Sequence, residues 1–204
     1  MYQQLIIAAQ NLLVSQGRMP GSLAELAHLA EVSEEDVLQN FDSLAALREG
    51  LIYQGVALLN DRLKRGVLDA DSTNPDVQLR ALARSYAEWA DENPALFQLL
   101  AQGLNMPLVP GSTLFRFTIS MRDLFERKLK EMLGDGLLRP ETDIAAIMLL
   151  LHCLVRGAND VITLRPHDPW LQGDPRPSPA IAGELFDYFL DSMLAANAPI
   201  AEAM

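Results

Sequence analysis

The chain has 204 residues, half of them hydrophobic, so it is long enough for a full core and too apolar to be disordered. Its net charge of −11 argues against non-specific attraction to DNA or anionic membranes, because lysine and arginine supply that attraction. The single cysteine, Cys153, excludes an intramolecular disulfide framework. The N-terminus has no basic secretion signal, and the longest apolar run, 144–155, is shorter than the roughly 20 residues of a transmembrane helix. We therefore expect a cytoplasmic protein that does not span a membrane.

Apolar residues recur at helical spacing in nine segments, and no segment alternates with the two-residue period of a strand. The first predicted helix runs from Tyr2 to Gln16 and ends at Gly17, and N-cap serines at Ser22 and Ser33 begin the next two. The later helices are predicted at residues 43–65, 75–92, 95–103, 112–134, 142–162 and 179–196. The fold class is therefore all-α.

The stretch from Ser22 to Phe41 has the spacing of two short helices joined by a tight turn. Ser22 and Ser33 each precede an acidic residue by three positions, a pattern typical of helix N-termini. Apolar residues are expected to line the facing sides of the two helices: Leu23, Leu26, Ala27 and Ala30 in the first, and Val37, Leu38 and Phe41 in the second. The spacing predicts a helix-turn-helix.

With its flanks, this stretch resembles the N-terminal domain of the TetR family of bacterial transcription regulators. The matching positions are Ala27, Ala30, Val32, Ser33, Phe41, Ser43 and Leu47, and the segment 86–100 is similar to the start of the regulatory core in many members. The resemblance implies a helix-turn-helix domain at residues 1–48 and a ligand-binding and dimerisation domain at residues 49–204. It also implies a nine-helix homodimer that binds a palindromic operator.

The residues that would hold DNA depart from the family pattern. Glu31 stands where glycine is usual, and Asp36 where a small polar residue such as threonine is usual. Leu38 stands at the tyrosine position, Asn40 at the histidine position and Leu44 at the lysine position. Residues 1–50 carry seven acidic and two basic side chains, a net charge of −5, whereas phosphate neutralisation supplies most non-specific DNA affinity. The remaining candidates for DNA contact are Ser33, Gln39, Asn40 and Ser43, through hydroxyls toward phosphate and amides toward adenine.

Two functional hypotheses follow. The resemblance implies a transcription regulator that binds an operator and is released by a hydrophobic effector. The acidic charge of residues 1–50 indicates instead a module that keeps the scaffold and the dimer but has weakened or lost DNA contact, and that acts through a ligand or a protein partner.

The last two predicted helices have more apolar surface than one subunit would cover, which indicates either core helices or a dimer interface. The resemblance favours the interface, because it implies a four-helix bundle made from these helices of two subunits. The candidate interface residues are Leu150, Leu154, Ile181, Leu185, Phe189 and Met193.

Bulky and methionine-rich side chains are concentrated between residues 86 and 152. Each is typical of an ordinary core, but as a group they lie where the resemblance implies an effector pocket for a small hydrophobic ligand. The candidate pocket residues are Tyr86, Trp89, Phe97, Met106, Phe115, Phe117, Met121 and Met148. His152, with Arg156 one turn later, is either a polar anchor in that pocket or half of a polar pair at the interface.

No sequence motif indicates catalysis, a metal or a cofactor. The three histidines are too scattered for a metal motif, and Cys153 has no ligand at a known spacing. Nucleophile-elbow, phosphate-loop and dinucleotide motifs are missing from the sequence. We therefore expect a protein that is not an enzyme and that binds no metal and no cofactor.

Overall fold

A computed structural model describes residues 1–194, except for the side chain of residue 166. These residues form nine α-helices and one 3-10 helix, Arg165–His167, between the last two. The α-helices are α1 (Tyr2–Gln16), α2 (Leu23–Ala30), α3 (Glu34–Leu38), α4 (Leu44–Asp69), α5 (Pro75–Glu92), α6 (Pro94–Leu104), α7 (Thr113–Gly134), α8 (Ile144–Leu164) and α9 (Ser178–Met193). The only β-type pairing in the described residues is an isolated bridge between Leu138 and Leu194. The predicted all-α fold is confirmed.

Helix starts are well predicted where a side chain caps them. The Ser22 hydroxyl accepts a hydrogen bond from the Glu25 amide, and the Ser112 hydroxyl accepts one from the Phe115 amide. At α8 the expected start at Thr142 is wrong. Asp143 is the cap there, because its Oδ1 accepts hydrogen bonds from two amides of the first turn at 2.9 and 3.2 Å.

Two helix ends differ from the sequence prediction. The third helix ends at Leu38 instead of Phe41, and α4 continues to Asp69 instead of ending near Arg65. The fourth helix was predicted to end at residue 65, but Gly66 lies within α4, where the helix passes close to Ser85 of α5. Glycine therefore permits a close helix contact here and does not end the helix. The predicted end of the ninth helix, residues 195–196, lies outside the described residues.

The chain divides into two compact units. The first unit contains Met1–Asp61 and Trp89–Thr118, and the second contains Arg62–Glu88 and the described residues from Ile119 onward. The predicted N-terminal domain, residues 1–48, lies wholly within the first unit.

The first unit has a core at which α1 packs against α2 and α6, while α2 packs against α3. Leu5 and Val37 are fully buried in it. The rings of Tyr2 and Phe41 lie 5.0 Å apart. A Cβ atom at Gly50 of α4 would lie 2.8 Å from Ile6 Cδ1, so this glycine allows α1 and α4 to approach closely.

In the second unit α8 packs against α9, and α5 is joined to α9 by polar contacts. The guanidinium of Arg80 contacts Asp187 at 2.9 Å and Asp191 at 2.6 Å, both on α9, and also Asp76 of its own helix at 3.1 Å. Exposed ion pairs of this kind add little stability, typically about 0–1 kcal/mol, but the forked guanidinium restricts the position of α9.

The close approach at Gly66 gives a stability prediction. In Gly66→Ala the new Cβ would lie 1.8 Å from Ser85 Oγ and 2.9 Å from Ser85 Cβ, so α4 and α5 must separate. We expect a loss of about 1–3 kcal/mol in the free energy of unfolding, measured by urea denaturation. Gly134→Ala is the matched control, since no atom lies within 4 Å of its added Cβ. Ser85→Gly should recover part of the loss in the Gly66→Ala background, and equal stability of the two alanine variants would contradict the prediction.

Candidate functional site

The turn between α2 and α3 keeps its tight geometry with an unusual residue. Glu31 has a left-handed backbone with φ of 56° and occupies the C-cap position of α2. A non-glycine residue pays roughly 1–2 kcal/mol for this conformation, which explains why glycine is usual here in the family pattern. The framework of the helix-turn-helix is therefore formed despite the substitution.

Helix α3 has only five residues, and acidic side chains fill its first turn. The Ser33 hydroxyl donates to Asp36 Oδ2 at 2.6 Å and accepts from the Asp36 amide at 3.1 Å. The same carboxylate accepts from the Ser33 amide at 3.4 Å, which completes a capping box. Asp36 therefore stabilises the start of α3, and the Ser33 hydroxyl is engaged within the cap.

The other candidates for DNA contact are partly occupied as well. The side-chain amide of Asn40 donates to the Asp36 carbonyl oxygen at 2.8 Å. The Ser43 hydroxyl donates to Asp42 Oδ1 at 2.9 Å and accepts from the Ala46 amide at 3.1 Å. Gln39 is exposed at the C-cap of α3. Three of the four predicted contact side chains thus make local hydrogen bonds within their own helix ends.

The outer surface of α3 is acidic with one leucine in it. Glu34 and Glu35 are exposed, and Leu38 is 57 % exposed. The expectation that Leu38 lines the inner face is wrong, because Val37 and Phe41 fill that face and Leu38 is turned about 100° from its neighbour Val37. At the start of α2, Arg18 pairs with Glu25 at 2.7 Å, and this hydrogen bond lowers the pKa of Glu25. One of the two bases in residues 1–50 is therefore already paired with an acid.

Solved structures with the same architecture cover nearly the whole chain. A protein of unknown function from Rhodococcus sp. RHA1 matches with a TM-score of 0.74 and 22 % identity over 95 % of each chain. The TetR-family transcriptional regulator PfmR from Thermus thermophilus matches with a TM-score of 0.66 and 17 % identity, over 92 % of this chain and 97 % of that one. The transcriptional regulator FadR from Bacillus subtilis, in complex with stearoyl-CoA, matches with a TM-score of 0.69 and 13 % identity, over 95 % of this chain and all of that one.

The chain has the fold of the TetR-family transcription regulators. Comparison with models of protein families and with curated proteins gives no match. The TetR-like fold is therefore recognised from backbone architecture at low sequence identity, and the sequence resemblance at residues 22–41 agrees with it.

Within the TetR-like fold, the predicted pocket residues belong to both units. In the first unit Trp89 and Phe97 are buried, Phe115 and Phe117 are half-buried, and Met106 is 63 % exposed in the segment between α6 and α7. In the second unit Tyr86, Met121 and Met148 are half-buried, while His152 is exposed. A shallow depression on the surface of α7 is lined only by charged side chains and does not have the character of an apolar effector site. The apolar pocket stays a prediction.

The second unit contains a buried polar pair that the sequence patterns did not predict. The Tyr86 hydroxyl donates to Asn159 Oδ1 at 2.8 Å, and Asn159 is only 4 % exposed. Burial raises the pKa of Tyr86 above its usual range, so its hydroxyl stays protonated and able to donate. An asparagine in a mostly apolar helix was the signal that could have revealed this pair. His152, which was singled out as the polar anchor, lies exposed instead.

The surface of α8 is apolar and largely uncovered in one subunit. Of its 21 residues, only Leu151 and Asn159 are buried. Among the predicted interface residues, Leu150 is 61 % exposed, Leu185 is 39 % exposed, and Ile181 is buried within its own subunit. Leu154, Phe189 and Met193 are half-buried.

By length and composition alone, α8 is long and apolar enough to cross a membrane. The apolar run 144–155 by itself was judged too short to span a membrane, whereas the helix that contains it extends to Leu164. One such helix is weak evidence for a membrane span, and here α8 packs against α9 and bonds to α5 through Asn159.

Proposed function

We propose that the protein is a cytoplasmic, homodimeric regulator scaffold of TetR type in which DNA contact is weakened or lost, and that it responds to a small hydrophobic ligand. The observation that carries the loss of DNA contact is the surface of α3 and the start of α4, where acids fill the first turn of α3 and Leu38 and Leu44 stand at the usual tyrosine and lysine positions. The solved structures that it resembles include transcriptional regulators, which supports a role other than catalysis.

Electrostatics supports the loss of DNA contact. A protein that contacts 6–10 phosphates loses roughly 10³–10⁵-fold in DNA affinity between about 50 and 200 mM salt, because its binding releases counterions. Residues 1–50 have a net charge of −5, and the exposed Glu34 and Glu35 add to Asp36 in the first turn of α3. Negative charge there also cancels the positive end of the helix dipole, which otherwise attracts phosphate.

An ordinary repressor that binds a palindromic operator and is released by a hydrophobic effector is the second candidate. Its support is the intact framework, since α2 and α3 pack together and Ser33 caps α3. Gln39 is exposed and has the amide that reads adenine. Such a repressor would bind through few phosphate contacts, so its affinity would depend only weakly on salt.

The DNA hypothesis is tested by adding positive charge at α3 and at the start of α4 while the Asp36 cap is left in place. The variant Glu34→Lys, Glu35→Gln, Leu38→Tyr and Leu44→Lys changes the net charge by +4, and we expect it to bind duplex DNA non-specifically at low salt. The wild type should hold no duplex, including its own upstream region, when fluorescence anisotropy is measured at about 50 mM salt.

The matched control is Asp135→Lys with Glu141→Lys, which makes the same charge change at two exposed positions of the second unit. If this control binds DNA as well as the α3 variant, total charge and not the α3 surface explains the effect. Tight, sequence-specific binding of the wild type to its own upstream region would instead establish the ordinary repressor.

The dimer proposal rests on the exposed apolar surface of α8. Leu149 is 69 % exposed and Leu150 is 61 % exposed, and Tyr188 of α9 is 72 % exposed. Contiguous apolar surface of this kind marks interaction sites in soluble proteins. A two-fold axis would place the same surface of both copies together, so that each covers the other.

Leu150→Glu should weaken the dimer without unfolding the subunit, because the side chain is already exposed in one subunit. A carboxylate forced into an apolar interface should raise the dissociation constant by about tenfold or more, measured by light scattering over a dilution series. Leu68→Glu is the matched control, since Leu68 is 74 % exposed and belongs to α4, which is not part of the proposed interface. A wild type that is monomeric at all concentrations would overturn the proposal.

The ligand proposal combines the half-buried side chains of the second unit with one comparison. Met121 and Met148 offer adaptable apolar surface there, and the Tyr86–Asn159 pair adds polar groups in the same unit. FadR, which has a similar fold, was solved in complex with stearoyl-CoA. A ligand with a long acyl chain is therefore the first compound class to test.

Thermal unfolding with a series of fatty acids of increasing chain length tests the ligand proposal. A ligand present at about 100 times its dissociation constant should stabilise the protein by roughly 2.7 kcal/mol and raise the melting temperature. Acetate is the control for the carboxylate alone. Absence of stabilisation across the series and across a wider panel of hydrophobic compounds would remove the proposal.

A further inference from the structure

Trp170 is the most exposed of the described large hydrophobic side chains, at 94 %. It lies in residues 165–177, the segment that joins α8 to α9. The other tryptophan of the chain, Trp89, is 3 % exposed. A tryptophan offers about 150–250 Å² of surface for burial, so full exposure leaves a large contribution unused in a single subunit.

A hydrogen bond joins the beginning of this segment to a residue near its end. A guanidinium nitrogen of Arg165, Nη2, donates to the Asp174 carbonyl oxygen at 2.5 Å. Inside this closure the Trp170 amide donates to Asp168 Oδ1 at 2.9 Å, and the Leu171 amide donates to the Asp168 carbonyl oxygen at 3.1 Å. The backbone around Trp170 is therefore organised before any partner is bound.

A second set of contacts fixes the end of the segment to α9. Arg176 pairs with Asp174 at 2.5 Å and with Glu184 of α9. The hydrogen bond from Arg176 lowers the pKa of Asp174 to about 2, so the pair remains ionised at neutral pH. The end of the segment is thus tied to α9.

The charges of this region suit contact with another copy of an acidic chain. Residues 165–177 contain two acidic and two basic side chains, whereas the whole chain has a net charge of −11. Residues 144–155 of α8 contain no aspartate, glutamate, lysine or arginine. Two copies would repel each other over most of their surface, but this segment and this part of α8 can meet without opposing like charges.

We propose that residues 165–177 form an intersubunit arm, which places Trp170 against the exposed apolar side chains of α8 in a second copy of this chain. The arm begins directly after Leu164, the last residue of α8, which is 54 % exposed. The same helix also exposes Leu149 and Leu150. The inference rests on the proposed dimer and assigns to it a specific anchoring residue.

The area involved is enough to matter for a dimer. A standard interface buries about 800 Å² on each partner, so one tryptophan would supply roughly a fifth to a third of each subunit's share. Two-fold symmetry makes the contact twice, once from each subunit. Tryptophan is also among the residues that most often dominate interface energetics.

Trp170 can be observed directly, because Trp89→Phe leaves it as the only tryptophan. We expect its fluorescence to move to shorter wavelength, and its quenching by acrylamide to fall, over the same concentration range in which light scattering shows the dimer forming. If Trp89→Phe does not fold, the difference between wild-type and Trp170→Phe emission gives the same signal, since position 170 is exposed in the subunit.

Trp170→Ser should raise the dissociation constant of the dimer by about tenfold or more, as loss of an interface anchor does. Leu68→Ser, at an exposed position of α4, should leave it unchanged. If the dimer forms while Trp170 emission and quenching stay constant, the arm is overturned and the proposed dimer stands. If no dimer forms at any concentration, the proposed dimer itself is overturned, and the arm with it.

Discussion

The constraint on which the second unit depends is the need to cover α8. This helix is 21 residues long and mostly apolar, yet only Leu151 and Asn159 are buried in the subunit. Apolar surface that remains in water costs roughly 25 cal/mol for each Å², so the exposed side of α8 favours association. The polar contacts of the neighbouring elements hold them in place around α8 and leave its exposed face uncovered.

Polar contacts position the elements around α8. Arg80 joins α5 to α9 through Asp187 and Asp191, and Arg176 joins the segment after α8 to Glu184 of α9. Exposed ion pairs contribute little to the free energy of folding, but each one narrows the orientations of the helix it holds. The buried Tyr86–Asn159 hydrogen bond adds a polar contact between α5 and α8 that would be costly to break. The apolar face of α8 is therefore presented by a framework that polar groups orient.

At the helix-turn-helix, one set of carboxylates serves stability and opposes DNA contact. Asp36 closes the capping box of a helix of only five residues, and acids in the first turn interact favourably with the helix dipole. The same charges repel phosphate. The capping box therefore keeps the start of α3 in place, while the same carboxylates make its surface unfavourable for phosphate.

The sequence predicted most helix bounds and caps, which depend on local interactions, but few of the contacts between residues that are distant in sequence. The bounds of α1 and α5, the N-caps at Ser22 and Ser33 and the all-α class followed from spacing and capping patterns. Gly66 was misread because its role is a close contact with Ser85, which is remote in sequence, and Leu38 was misplaced because the helix is too short for a full apolar face. The Tyr86–Asn159 pair joins residues 73 positions apart, which no periodicity reveals.

The sequence did not reveal that the side chain of Trp170 is exposed to solvent. Four prolines lie in residues 165–177, a composition that predicts a loop and nothing more. Only the fold shows that the loop is closed by Arg165 and joined through Arg176 to α9. A side chain that costs so much to leave in water, held in an organised loop beside an open apolar helix, is best explained by a contact that a single subunit does not make.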